Sequence, residues 1–148
     1  MSFSGTSIHA VDIKGRVAIP AKFRKVLEDN ILIVTLGLDQ CLDVYTSQSW
    51  KTVLERFSNL SRGKKEVRLL RSRIIGHADT LELDKQGRII LNSDFLSFLN
   101  LEEQSEKRVR LVGDDDRFHV WNPEFYDHFM KEINGKVCDV ADDLNFSF

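Results

Sequence analysis

One stretch of this chain occurs twice. Asp12-Ile13-Lys14-Gly15-Arg16-Val17-Ala18-Ile19 is echoed 72 positions later by Asp84-Lys85-Gln86-Gly87-Arg88-Ile89-Ile90-Leu91, and Phe23, Val26 and Leu27 return as Phe95, Phe98 and Leu99. After a four-residue insertion in the second copy the offset becomes 76, so that Gly37, Asp39, Val44, Tyr45, Trp50, Val53 and Leu54 answer to Gly113, Asp115, Val120, Trp121, Tyr126, Phe129 and Met130. A period of this kind is the mark of a repeated structural unit. A unit of about fifty residues buries too little apolar surface to be stable alone, so the two copies must share one core. A doubled acidic-glycine-basic turn also fits a doubled binding device better than a catalytic pocket, which is more often asymmetric.

Local patterns give each copy the same order of elements. Residues 8–12 and 16–19 read as short strands on either side of Lys14-Gly15, with Gly15 able to take the positive φ of a tight turn. Leu81, Leu83, Ile89 and Leu91 repeat that pattern around Gly87. Pro20 suits the entry of a short helix carrying Phe23, Val26 and Leu27, and Asn92 or Ser93 can cap its counterpart. Residues 31–36 with 42–45, and 108–112 with 117–121, read as a second strand pair in each copy. A helix closes each unit, with Trp50, Val53, Leu54 and Phe57 in the first and Tyr126, Phe129, Met130 and Ile133 in the second at i, i+3, i+4, i+7. Those aromatics are expected in the core rather than as a stacking platform for bases. The domain reading is therefore a first repeat over 1–57, a basic connecting helix over 58–76, a second repeat over 77–133 and a loosely held acidic tail over 134–148.

Several function classes find no support. The longest apolar run, Ile31-Leu32-Ile33-Val34, has the length of a buried strand and falls far short of the roughly 20 residues that cross a bilayer. No basic stretch followed by an apolar one opens the chain, so secretion is not expected. Cys41 and Cys138 are not equivalent in the two copies and lie in no C-x-x-C spacing, which argues against a disulfide framework or a metal knuckle. A reduced cytoplasmic protein is expected. His9, His77, His119 and His128 share no ligand spacing, and Asp114-Asp115-Asp116 reads as an acidic turn in which only Asp115 has a counterpart, Asp39. Phosphate-binding, dinucleotide and nucleophile-elbow motifs are missing, so nothing positive points to an enzyme, a cofactor, a metal or a small-molecule substrate.

The net charge of −2 hides an asymmetry. Residues 1–76 carry 13 Lys/Arg against 7 Asp/Glu, whereas residues 77–148 carry 8 against 16. Lys14, Arg16, Lys22, Arg24 and Lys25 cluster near the first turn, and Arg62, Lys64, Lys65, Arg68, Arg71 and Arg73 lie in the connector. A basic face is the footprint of a polyanion-binding protein, while a solvated helix surface has the same composition.

The turns carry the candidate chemistry. Asp12 and Arg16 flank a reversal at Gly15, so the carboxylate can meet the guanidinium across the hairpin and fix its direction; Asp84 and Arg88 can do the same around Gly87. An arginine held at a hairpin tip suits a two-stranded ribbon entering a major groove, where two donors bond a guanine edge. The alternative is a purely structural turn in which the aspartate caps backbone amides. Duplication and the basic flank of the first copy bring the two readings nearer to balance.

In these residues the chain resembles the MraZ family, whose signature is a pair of D-x-x-x-R loops in tandem repeats. The likeness covers residues 1 to about 133 and rests on Asp12 to Arg24 and on Leu83 to Leu91. It implies an α+β fold in which two interlocked AbrB-like swapped-hairpin repeats form one β-barrel with flanking helices, and subunits assembled into a closed ring. It further implies a sequence-specific regulator of transcription, binding double-stranded DNA at short repeated elements upstream of the cell division and cell wall gene cluster. By position, Asp12, Gly15, Arg16, Asp84, Gly87 and Arg88 would form the reading loops, with Lys14, Lys85, Lys22 and Arg24 as basic neighbours. After the second loop the chain departs from the family pattern, with Asn92, Ser93 and Asp94 and no Lys or Arg until Lys107, so the first loop is expected to carry more of the binding. The alternatives are an AbrB-like regulator of another regulon, such as an antitoxin-type repressor, and a ring-forming interaction module that meets an acidic protein without binding DNA.

Overall fold

The computed structural model describes residues 2–148. Its first strand, β1 (Thr6–Val11), runs into the Asp12–Gly15 turn and returns as β2 (Arg16–Ala18), yet the two share only the Val11–Val17 register. Gly15 sits in this turn at φ +82°, a conformation costly for any residue with a Cβ. The hairpin then finds its main partners in the other repeat. The whole of β1 pairs with β7 (Lys107–Asp114), while β2 pairs with β6 (Arg88–Ile90). In the reciprocal exchange β5 (Asp79–Glu82) pairs with β3 (Ile31–Leu36). Within each repeat β3 pairs with β4 (Cys41–Thr46) and β7 with β8 (Arg117–Trp121), and β4 pairs with β8 across the repeats.

The strand order β5-β3-β4-β8-β7-β1-β2-β6 makes one antiparallel sheet that curls almost shut. At its edges β5 and β6 are joined by the second turn, where the Asp84 N–H donates to the Arg88 carbonyl. Two register pairs reveal the symmetry of this nearly closed barrel. Val17 faces Ile89, and Asp43 faces His119; in each case the partners are also counterparts under the sequence offset. A pseudo-two-fold axis therefore runs through the β2–β6 and β4–β8 pairs. Neither repeat owns a complete sheet, which is why the hairpins are swapped rather than stacked.

Alternation along the strands fills the barrel. Leu42 and Val44 of β4 and Phe118 and Val120 of β8 point inward and are essentially inaccessible, and Val17 and Ile89 close the layer between the hairpins. Burying such side chains contributes roughly 1.5–3 kcal/mol each, far more than any surface ion pair. Phe3, Phe23 and Phe118 add a cluster with ring centroids 4.9–5.3 Å apart. Phe23 comes from α1 (Ala21–Arg24), which begins after Pro20. Its counterpart α4 (Ser93–Phe98) is capped by Asn92, whose side chain accepts from the Phe95 N–H.

Helices α2 (Ser47–Ser58) and α3 (Lys65–Ile74) belong to the outer side of the sheet, where the Thr35 hydroxyl donates to the Ile74 carbonyl at 2.5 Å. The connecting helix is thus shorter than its expected span of 58–76, because α2 continues to Ser58 and a turn precedes Lys65. The larger difference is at the end of the chain. Instead of a tail without periodicity over 134–148, α5 runs from Pro123 to Asp143. Asn122 caps its start, and Val137 and Val140 extend the apolar stripe of Phe129 and Ile133. No residue of α5 is buried, and Phe129 and Val137 are exposed. The closing-helix aromatics therefore divide: Phe57 is in the core, Trp50 and Tyr126 are half-buried, and Phe129 is outside it.

Candidate nucleic-acid interface

Both turns fold alike, bond for bond. In the first, Asp12 Oδ1 accepts from the backbone N–H groups of Lys14 (3.0 Å) and Arg16 (2.8 Å), and its Oδ2 accepts from Arg16 Nε at 2.5 Å. In the second, Asp84 Oδ1 accepts from the N–H groups of Gln86 (2.8 Å) and Arg88 (2.9 Å), and Oδ2 accepts from Arg88 Nε at 2.9 Å. The aspartate thus caps the turn and also grips the arginine. The amide of the following arginine is the main influence holding each carboxyl below its ordinary pKa; partial burial works the other way, and the guanidinium reinforces the depression.

Attachment through Nε leaves the far end of the guanidinium available. Among the described residues no hydrogen bond engages the terminal Nη groups of Arg16 or Arg88, which are the donors a bidentate guanine contact uses. The two turns are also tied to each other. Ile19 N–H donates to the Gly87 carbonyl (2.9 Å) and Leu91 N–H to the Gly15 carbonyl (2.8 Å), so each turn rests on the strand that leaves the other. Gly15 and Gly87 are buried at these crossings, whereas Ile13, Lys14, Lys85 and Gln86 stand exposed at the tips. The tips differ in chemistry, because Lys14 corresponds to Gln86 and the fully exposed Ile13 to Lys85.

The basic neighbours are distributed differently from their sequence order. Lys22 is exposed, with its ammonium near Gly5. Arg24 lies against Gly87, where a Cβ would come within 2.9–3.1 Å of its side-chain atoms, and its Nε donates to the Ile19 carbonyl at 3.1 Å. It belongs to the surroundings of the second turn as much as to those of the first. In sequence Arg24 flanks only the first turn, and the exchange of hairpins carries it to the second. The connector arginines are largely spent on the fold: Arg73 donates to the Gly37 carbonyl and covers Phe98, Arg71 covers Phe57, and Arg68 donates to the carbonyls of Arg62 and Gly63. Side chains of metal-ligating type gather elsewhere, where β4 and β8 bring Cys41, Asp43 and His119 together from 76 positions apart.

A nearly closed barrel of exchanged hairpins, with one clamped arginine at each hairpin turn, defines a tandem swapped-hairpin protein. The family described as "MraZ protein, putative antitoxin-like" matches the chain twice, over residues 2–73 and 74–142. "Transcriptional regulator MraZ" of Natranaerobius thermophilus is 35% identical over 142 residues, covering 96% of each chain. The chain belongs to the MraZ family.

Proposed function

We propose that the protein is a sequence-specific transcriptional regulator that binds double-stranded DNA through its two hairpin turns. Arg16 and Arg88 read base edges, Asp12 and Asp84 hold them in place, and Lys14, Lys85, Lys22 and Arg24 approach phosphates. The observation that carries this reading is the shared geometry of the two arginines: each is fixed at Nε while its terminal donors make no hydrogen bond among the described residues. The regulatory role draws on the relative's name, Transcriptional regulator MraZ. Its targets are short repeated elements upstream of the cell division and cell wall gene cluster, and a ring of subunits places several turn pairs along them. The protein thus works at the nucleoid by binding rather than by catalysis.

Anisotropy titrations of the purified protein on duplexes carrying one or several copies of the upstream repeat, against scrambled duplexes, test the reading. Affinity should fall steeply with salt, by a logarithmic slope of roughly 0.9 for each phosphate neutralised. Repeated sites should bind much more tightly than a single one, because linked turns gain by effective concentration. An affinity indifferent to both salt and sequence would leave the protein-interaction reading in its place.

A further inference from the structure

We propose that Cys41, Asp43 and His119 form a binding site for one thiophilic divalent ion of the zinc class, set across the seam between the two repeats. Cys41 Sγ lies 3.8 Å from Asp43 Oδ1, which lies 2.6 Å from His119 Nδ1, and all three donor atoms fall within 4.8 Å of one another. Zinc bonds sulfur at about 2.3 Å and imidazole or carboxylate at about 2.0–2.2 Å, so a single ion reaches the three once the Asp43–His119 hydrogen bond opens. The fourth, tetrahedral position is left to water. All three side chains sit on the outer face of β4 and β8, away from the turns on β1–β2 and β5–β6.

Two further features suit an ion. The other imidazole nitrogen, Nε2, meets Asp114 Oδ2 at 2.8 Å, the carboxylate–histidine pairing that orients a metal-binding ring and makes its ligating nitrogen more basic. Gly37 lets the donors close in on one another: a Cβ there would lie 2.8 Å from Asp43 Oδ1 and 2.9 Å from Cys41 Sγ, nearer than packing allows. The donor set also chooses its metal. A thiolate with an imidazole favours zinc over magnesium or calcium, and a thiolate plus a carboxylate neutralises the double charge. The balance is complete: the Cys41 thiol gives up its proton, a proton on His119 Nδ1 is displaced, and Nε2 keeps its proton toward Asp114. Because Cys41 and Asp43 come from the first repeat and His119 from the second, the bound ion cross-links the two halves of the barrel.

Full-length protein freed of metal by chelation and titrated with Co(II) should develop thiolate-to-cobalt charge-transfer absorption that saturates at one equivalent and is discharged by Zn(II). The Cys138→Ser variant, which removes the exposed cysteine, should keep that signal, and Cys41→Ser should lose it. Asp114→Asn should weaken zinc binding by about 10–100-fold. Zinc should raise the melting temperature of the parent protein and leave that of His119→Asn unchanged. No charge-transfer band in the folded parent protein would overturn the proposal, as would a band kept in Cys41→Ser or lost in Cys138→Ser. Should Cys41→Ser not fold, the parent titration and the His119→Asn melt decide the matter on their own.

Discussion

Arg24 of the first repeat packs its guanidinium over Gly87 of the second, while its Nε bonds the carbonyl of Ile19, the residue whose own N–H reaches Gly87. The contact exists because the hairpins are exchanged: the strand that leaves the first turn passes beneath the second. It moves a positive charge to the turn whose own flanks, Glu82 and Asp94, are acidic. The electrostatic contrast between the two turns is therefore smaller than their flanking residues alone give.

Arg16→Ala and Arg88→Ala are accordingly expected to cost similar DNA affinity. The loss is about 1–3 kcal/mol for each bidentate base contact, with relaxed specificity. Arg24→Ala should weaken matched and scrambled duplexes alike and lower the salt slope by about 1. Binding isotherms at several salt concentrations measure all three. An Arg88→Ala variant that binds like the parent would show that the second turn makes no base contact.

The two turn glycines should differ when substituted. Both have positive φ, +82° at Gly15 and +74° at Gly87, which makes a Cβ costly by itself, about 1–2 kcal/mol. At Gly15 the new Cβ would stand 2.5 Å from the Leu91 carbonyl oxygen, backbone that is itself tied into the crossing; at Gly87 it would meet only the movable side chain of Arg24. Gly15→Ala should therefore lower the melting temperature distinctly more than Gly87→Ala, at about 2–4 °C for each kcal/mol lost in a domain of this size. Gly87→Ala should instead show itself in DNA binding, because Arg24 is pushed aside.

Much of this was legible in the residues. Alternation around Gly15 and Gly87 located the hairpins, Asn92 or Ser93 marked the cap of α4, which Asn92 supplies, and the D-x-x-G-R spacing foretold both Asp–Arg clamps. What sequence could not give was partnership across the repeats. Nothing local to Arg24 says that it lies over Gly87, and nothing local to Cys41 or Asp43 says that His119 is their neighbour. Both facts follow only when a strand pairs with its own counterpart about the pseudo-two-fold axis. The α5 extension was readable and missed: Ile133, Val137 and Val140 keep helical spacing, but Gly135 and the polar Asn134, Lys136 and Asp139 among them mask the period.

The clamps predict a pH response with a definite sign. The depressed carboxyls of Asp12 and Asp84 hold their turns above the ordinary aspartate value of 3.8, and that contribution is lost as pH falls through their lower folded-state values. In NMR titrations their carboxyl carbons should titrate below the ordinary aspartate value of 3.8. Asp12→Asn should barely move the melting temperature, since the pair is half-open to solvent and the amide oxygen can still cap the turn, yet should lower DNA affinity several-fold by releasing the guanidinium from its orientation. A variant that melts much lower while binding DNA as before would show the pair to be structural only.

The uncovered stripe of α5 concerns assembly. Phe129, Ile133 and Val137 succeed one another at intervals of four along a helix with no buried residue, and Phe129 and Val137 are 38% and 50% exposed. In the ring proposed above, a second copy of the chain packed on this 21-residue helix would cover the stripe. Placing a charge within the stripe, as in Val137→Glu at the half-exposed position two turns beyond the Phe129 ring that packs on Trp121, should shift the protein toward monomer in light scattering while the barrel stays folded. Binding to a single site should change little. The advantage of repeated sites should disappear, because it depends on several turn pairs being joined in one particle. An oligomer that survives this substitution intact would assign the assembly contact to another face.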